Sequence, residues 1–124
     1  MPRRAVNGSR GFGPLEGEVM SMVWKAGRPV SVREIVGELN ARRDEPLAYT
    51  TVMTVMNRLA EKEALARSPA GRSYVYEATA PDSAGIAVKN VIRAYGDEAM
   101  AHFLEEARSD PGVLRRLQQM LREE

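Results

Sequence analysis

Apolar and polar positions alternate along this chain with a period that predicts helices over most of its length. The clearest segment covers residues 47–65, whose side chains sort onto two opposite sides of a helix at about 100° per residue. The apolar side consists of Val52, Val55, Met56 and Leu59. The opposite side carries small hydrogen-bonding groups and an arginine, namely Thr50, Thr51, Thr54, Asn57 and Arg58.

This polar face has two interpretations. It is either an ordinary solvated surface or a surface that reads nucleic acid. Threonine and asparagine side chains hydrogen-bond to base edges, and arginine binds phosphate or guanine, so a helix with this face can lie in a DNA major groove.

A short hairpin is predicted directly after this helix. Residues 65–68 and 73–77 have the composition of strands, and residues 69–72 contain the Pro and Gly of a turn. Such a hairpin is a β-wing. We expect Arg67 and Arg72 to flank its tip, where each is either a solvated charge or a contact to a phosphate beside the helix.

Two further helices are predicted upstream, over residues 14–26 and 31–43. The first has an apolar stripe, and Met20 and Trp24 fall outside that stripe, which indicates a second buried contact or an exposed patch for a protein partner. The second begins with a capping box formed by Ser31 and Glu34. Residues 29–30 can add a short strand to the wing, and residues 44–46 form the turn before the third helix. Three helices followed by a hairpin make a winged helix-turn-helix.

The C-terminal third is predicted to form three more amphipathic helices, over residues 82–95, 97–107 and 110–122. Short helices of this kind cannot enclose a core of their own, so their apolar faces need another surface. A second copy of the chain is the simplest such surface, and folding back onto the winged helix is the alternative. The side chains expected to form a homodimer interface are Val88, Ile92, Phe103, Leu117 and Leu121.

The predicted fold class is therefore mainly α with a small β-wing: a winged helix-turn-helix followed by C-terminal dimerisation helices. We divide the chain into a flexible basic arm (1–12), a DNA-binding domain (13–80) and a dimerisation region (81–124). A two-fold dimer would set two recognition helices about 34 Å apart, matching successive major grooves.

Composition and charge agree with a small nucleic-acid-binding protein. The chain has 124 residues, 44% of them hydrophobic, and a net charge of +1. Residues 1–80 hold 12 Lys and Arg against 9 Asp and Glu, whereas residues 81–124 hold 6 against 8. The basic part thus coincides with the predicted winged helix. No cysteine, long apolar run or secretory signal is present, which leads us to expect a cytoplasmic protein.

The sequence offers no set of residues for catalysis or for binding a metal or cofactor. No Ser/His/Asp or Cys/His combination and no glycine-rich phosphate loop is found. Glu16 and Glu18 lie two apart on a helix and point to different faces. His102 is the sole histidine and lacks other ligands at metal-binding spacing. We expect neither an enzyme nor a cofactor.

The runs PLEGEVMSMVWKAG, SVREIVGEL, LAYTTVMTVMNRLAEK and GRSYVYEA resemble the penicillinase and methicillin-resistance repressor family, the BlaI/MecI-like transcriptional repressors. The resemblance covers about residues 13–124. It implies a homodimer that represses by binding palindromic operator DNA, often ahead of β-lactamase or sensor genes. Transferred to this chain, it implies DNA contacts at Thr50, Thr51, Thr54, Arg58 and Arg72.

The resemblance also implies a mode of induction. In inducible members a membrane sensor-protease responds to antibiotic, and the repressor is then cut before a phenylalanine in its C-terminal helices. Phe103 lies at that place, although His102 precedes it where the best-known members have Asn. Cysteine-based copper sensing, known in one branch of the family, is excluded because the chain has no cysteine. The family commonly has Gly near residue 63, which suggests a helix end with positive φ there.

The function predicted from these observations is that of a dimeric winged-helix transcriptional repressor of β-lactam-response or related genes. The alternative is a winged helix that acts as a protein-protein interaction module in a larger complex. Duplex binding with steep salt dependence would distinguish the first from the second.

Overall fold

The computed structural model describes residues 11–123 and contains helices, a small sheet and a second set of helices. The helices are α1 (Pro14–Ala26), α2 (Val32–Asn40), α3 (Tyr49–Glu61), α4 (Ser83–Tyr95), α5 (Asp97–Ser109) and α6 (Pro111–Glu123). The strands are β1 (Val30–Ser31), β2 (Leu65–Ala70) and β3 (Ser73–Ala78), and they form an antiparallel sheet in the order β1-β3-β2. The predicted fold class, a winged helix-turn-helix followed by C-terminal helices, is confirmed. Most of the predicted basic arm, residues 1–10, lies outside the described residues.

The chain divides into two compact units, with the boundary between Ala87 and Val88. Our division after residue 80 lies seven residues earlier. The difference arises because the start of α4 belongs to the winged-helix core: Ile86 is 4% exposed and packs with the core residues. Asp82 caps this helix by accepting a hydrogen bond from the backbone N–H of Gly85 at 2.9 Å.

The winged-helix core is built by the apolar stripes of α1, α2 and α3, with side chains from the sheet. Its largest fully buried side chains are Val19, Met20, Leu39, Val52, Met56, Leu59, Leu65 and Tyr76. The predicted second contact of α1 is also confirmed, since Met20 is fully buried and Trp24 packs against the core. Trp24 Nε1 donates a 2.8 Å hydrogen bond to the carbonyl oxygen of Ala80, which fixes the chain where it leaves the wing.

Helix α2 begins as predicted and ends earlier. Ser31 Oγ accepts from the backbone N–H of Glu34 at 3.1 Å, and Glu34 Oε1 accepts from the backbone N–H of Ser31 at 3.0 Å, so the capping box is present. The helix was predicted to run to residue 43 but ends at Asn40. The next residues form tight turns, in which the backbone N–H groups of Arg42 and Arg43 each donate to the carbonyl oxygen three residues earlier.

The wing forms a longer hairpin than predicted, with a shorter turn. Pairing of Ala70 with Ser73 leaves only Gly71 and Arg72 in the turn, and Gly71 has a φ of 64°. A positive φ at the first turn residue favours glycine and suits a two-residue hairpin. Pro69 is compatible with the strand because β2 is an edge strand, where a missing N–H donor costs little. The predicted short strand is also present, as β1 pairs with β3 through Val30 and Tyr76.

Helix α3 ends in a Schellman motif centred on Glu63. The backbone N–H of Ala64 donates to the carbonyl of Leu59, and that of Glu63 donates to the carbonyl of Ala60. Glu63 has a φ of 61°, the only positive value at a non-glycine residue in the described part of the chain. The suggested positive φ at this position is therefore confirmed.

The second compact unit contains the end of α4 together with α5 and α6. Three amphipathic helices were predicted within residues 81–124, and the helices of the structure follow the predicted bounds closely. Helix α6 has no buried residue in this single chain. Within residues 11–123, no helix combines the length and apolar character that crossing a membrane requires.

Candidate nucleic-acid interface

Helix α3 presents the predicted polar face to solvent. Thr50, Thr51, Thr54 and Arg58 are exposed, while Val52, Val55, Met56 and Leu59 on the opposite side are buried. The buried side fixes the helix against the core, so the exposed side chains project from a rigid element. Such a helix can enter a major groove without rearranging.

The turn before α3 is closed by a pair of hydrogen bonds that the spacing of residues does not predict. Asn40 Oδ1 accepts from the backbone N–H of Leu47 at 2.8 Å, and Asn40 Nδ2 donates to the carbonyl of Leu47 at 3.1 Å. These reciprocal bonds hold the two ends of the loop together and explain why α2 stops at Asn40. The asparagine at the end of α2 could have indicated a side chain that caps the turn. Its partner, Leu47, could not be predicted from the spacing of residues.

Two ion pairs attach α1 to α3 and to the turn that precedes α3. Lys62, at the end of α3, has its Nζ 2.9 Å from Oε2 of Glu16. Arg43, in the turn before α3, has its Nη2 2.6 Å from Oε1 of Glu18. The two glutamates, predicted to point to different faces of α1, thus pair with residues of different elements. Burial alone would raise the pKa of Glu16, but hydrogen bonds from Lys62 and from the Gly13 backbone N–H outweigh it, so the pKa lies below its usual value.

Asn57 lies on the polar side of α3 as predicted but bonds within the protein, whereas Arg67 occupies a position that differs from the prediction. Asn57 Oδ1 accepts hydrogen bonds from Tyr76 Oη at 2.7 Å and from Arg67 Nη1 at 3.2 Å. Arg67 was expected to flank the wing tip, but it pairs with Tyr76 in the middle of the hairpin because the strands extend to Ala70 and Ser73. Arg72 alone of the two arginines lies in the turn.

A groove of about 480 Å³ runs between α3 and the wing. Among the described residues that line it are Arg33, Arg67 and Arg72, and none of these lining residues is an Asp or Glu. Arg33, on α2, was not among the predicted site residues. A groove lined by arginines without carboxylates favours a polyanionic ligand.

A third ion pair lies near the start of α2. Arg28 Nη2 is 2.7 Å from Glu34 Oε2, and the guanidinium of Arg28, together with the Ser31 backbone N–H, lowers the pKa of Glu34 to about 2. Glu34 is thus ionised at neutral pH and completes the capping box that fixes the start of α2.

The remaining predicted site residues lie in the second unit. Val88, Ile92, Phe103, Leu117 and Leu121 are all exposed in the single chain, and His102 lies beside Phe103 on the surface of α5. In residues 11–123, no group of three or more His, Asp or Glu side chains is close enough together to hold a metal ion.

The chain is similar to known proteins. The family model described as penicillinase repressor matches residues 12–123. The chain belongs to the penicillinase repressor family. It is 37% identical over 106 residues to the transcriptional regulator BlaI of Mycobacterium tuberculosis, in each of two strains, covering 80% of this chain and 75% of the relative.

Two solved structures are also similar to this repressor. A transcriptional regulator from Thermotoga maritima has a TM-score of 0.49 and 21% identity, covering 86% of this chain and 78% of the other. A MarR/EmrR family transcriptional regulator from Acinetobacter has a TM-score of 0.46 and 22% identity, covering 92% of this chain and 76% of the other.

Family membership gives the general function. The protein is a DNA-binding winged-helix transcriptional repressor and not an enzyme. Proteins of this family bind operator DNA, typically as dimers.

Proposed function

We propose that this repressor binds a palindromic operator as a homodimer, with α3 of each protomer in the major groove of one half-site. The observation that carries the proposal is the exposed Thr and Arg face of α3, held rigidly by its buried opposite face beside an arginine-lined groove. A palindrome repeats the same half-site about a two-fold axis, so it matches a dimer with the same symmetry.

The exposed residues of α3 and the wing have distinct roles in this proposal. Thr50, Thr51 and Thr54 contact base edges through their hydroxyl and methyl groups. Arg58 binds a phosphate or a guanine, and Arg72 at the wing tip binds the backbone beside the helix. The threonines therefore set sequence preference, whereas Arg72 contributes affinity that does not depend on sequence.

The second compact unit supports dimerisation. Of the 13 large hydrophobic side chains that are exposed in the described chain, 11 lie between Val88 and Leu121. Such a concentration of apolar surface favours association with another protein surface. A second copy supplies an identical and self-complementary surface, and the predicted interface residues Val88, Ile92, Phe103, Leu117 and Leu121 are all among the exposed set.

The regulated genes and the inducing signal form a further part of the proposal. The repressor controls β-lactam-response or related genes, and a membrane sensor-protease pathway leads to cleavage of the His102–Phe103 bond in α5. By its resemblance to inducible family members, Phe103 corresponds to the phenylalanine before which those repressors are cut. Cleavage there separates α6 from α4 within one chain, which removes part of the dimer surface and releases the operator by mass action.

Footprinting on the protein's own promoter tests the DNA-binding part. We expect protection of a palindrome, strong loss of binding in Arg58→Ala, and relaxed preference among operator variants in Thr54→Ala. Lys25→Ala, which removes a positive charge from α1, serves as the matched control and should leave the footprint unchanged. Failure to protect any palindrome would instead favour the protein-interaction module.

A further inference from the structure

The side-chain carbonyl of Asn57 is already used within the protein. Its Oδ1 accepts hydrogen bonds from Tyr76 Oη at 2.7 Å and from Arg67 Nη1 at 3.2 Å. An arginine N–H can only donate, so the atom facing it must be the amide oxygen. A carbonyl oxygen has two lone pairs, and these two donors occupy both.

This arrangement is incompatible with the usual way in which asparagine reads a base. Recognition of adenine by asparagine needs the amide oxygen to accept from the base while the amide nitrogen donates to it. In Asn57 the oxygen is engaged by Tyr76 and Arg67, and Tyr76 is only 2% exposed. The bond from Tyr76 therefore anchors the amide to the core of the wing and orients it toward Arg67.

Arg67 is held from two directions. Its guanidinium carbon lies 4.4 Å from the centre of the Tyr74 ring, and its Nη1 donates to Asn57. Stacking on the ring and bonding to the amide restrict a side chain that would otherwise sample many rotamers. A guanidinium carries several N–H donors in a fixed plane. Within the described chain, the guanidinium of Arg67 donates one hydrogen bond, to Asn57. The other donors suit the oxygens of a phosphate.

The surroundings of Arg67 select an anion. Arg33 and Arg72 line the same groove, and none of the described lining residues is acidic. Arg67 itself is exposed, so a ligand can reach it from solvent. The groove lies beside the exposed face of α3, where the sugar-phosphate backbone passes when a helix enters the adjacent major groove.

We propose that Asn57 is a positioning residue that does not read a base, and that Asn57 and Tyr74 hold Arg67 in place to bind one phosphate of the operator backbone in this groove. The inference rests on the proposed binding of α3 to operator DNA. The pre-positioned guanidinium loses little conformational entropy on binding, so removing Asn57 weakens the phosphate contact even though Arg67 is still present.

Operator binding by the full-length dimer tests this role. Affinity is measured by fluorescence anisotropy at several salt concentrations, on the palindrome and on variants with single base changes. The proteins are the unsubstituted repressor, Arg67→Ala, Asn57→Ala, the double variant and Tyr76→Phe, with Thr54→Ala as the comparison for a base-reading residue. Thermal unfolding of each variant identifies any loss of fold.

Arg67→Ala should weaken binding by about tenfold per protomer, by the same factor for every base change. Its plot of log affinity against log salt should be shallower by roughly 0.9 per protomer, which corresponds to one lost phosphate contact. Asn57→Ala should shift both quantities in the same direction, and the double variant should differ little from Arg67→Ala. Tyr76→Phe, which removes a single hydroxyl, should give a smaller uniform loss while the protein stays folded.

Relaxed preference at one base position in Asn57→Ala, as expected for Thr54→Ala, would overturn the inference. An unchanged salt slope in Arg67→Ala would overturn it as well. Both results differ from a failure of the proposed function, in which the unsubstituted repressor itself would show neither salt dependence nor preference for the palindrome.

Discussion

Thr79 Oγ1 donates a 2.8 Å hydrogen bond to the carbonyl oxygen of Glu63, and this bond joins the end of the wing to the end of the recognition helix. The backbone N–H of Thr79 also donates to the carbonyl of Ala64 at 3.0 Å. The chain can form both bonds because Glu63 turns it sharply out of α3 with a φ of 61°. The position of the wing relative to α3 thus depends on a backbone conformation that a non-glycine residue adopts at some cost.

Glu63→Gly should raise the free energy of unfolding by up to about 1 kcal/mol, because glycine adopts positive φ without steric cost. The hydrogen bond from Thr79 is retained in this variant, because it is accepted by the backbone carbonyl of residue 63. Lys62→Gly is the comparison at a neighbouring residue: Lys62 has a φ of −78° and pairs with Glu16, so glycine there gains nothing from φ, loses the ion pair and should destabilise the protein. Urea unfolding of the three proteins measures both effects. A lower midpoint for Glu63→Gly would show that another interaction of Glu63 outweighs the strain.

Truncation should locate the dimer interface. A chain ending at Ala87 retains Ile86 and should fold as a monomer that binds operator weakly, because it lacks the second unit. A chain ending at Ala80 also loses Ile86 from the core and should be less stable than the longer fragment by about 2–4 kcal/mol. Sedimentation and thermal unfolding provide the two readouts. A dimeric 87-residue fragment would place the interface in the winged helix.

Stability should depend on the ionisation of Glu34 in acid. Its pKa falls from an ordinary 4.5 to about 2 in the folded protein, through the hydrogen bond from Arg28 and that from the Ser31 backbone N–H. Because the folded pKa is depressed, the contribution of Glu34 is present above pH 4.5 and is lost as the pH falls towards 2. Between pH 4.5 and pH 2, the midpoint of urea unfolding should change less in Glu34→Gln than in the unsubstituted protein. Parallel curves for both proteins would show that the ion pair does not stabilise the fold.

The proposed induction step predicts a defined pair of fragments. After cells are exposed to a β-lactam, intact-mass analysis should detect cleavage between His102 and Phe103. Both residues lie inside α5, so this segment must unfold locally before a protease can cut it. Phe103→Ala should block cleavage at this bond, with Met100→Ala on the same helix as the control. Fragments broken elsewhere, or intact repressor while the target genes are expressed, would contradict the mechanism.

Most of the fold could be predicted because it follows from local rules. The period of apolar residues in α1 and α3 and the capping box at Ser31 depend on neighbours a few positions apart. The end of α2 could not be predicted, since it depends on the contact between Asn40 and Leu47 across the loop. The candidate site residues on α3 were predictable because the same period that places apolar side chains in the core places these residues on the opposite side.

The contacts between α3 and the wing were not predictable from spacing. Asn57 belongs to the polar side of α3, but its partner Tyr76 lies 19 residues later on another element. Arg67 was placed at the wing tip because Pro69 suggested an early turn. The edge position of β2 accommodates that proline, which extends the hairpin and moves Arg67 to its middle.

The salt dependence of operator affinity is the sharpest test of whether a dimer binds a palindrome through α3 and the arginine-lined groove. If each protomer neutralises about four phosphates, log affinity should fall against log salt with a slope of about −7 for the dimer. The same titration on a scrambled duplex of equal length should give much weaker binding. Equal affinity for the palindrome and the scrambled duplex, or affinity that does not change with salt, would rule out this mode of operator binding.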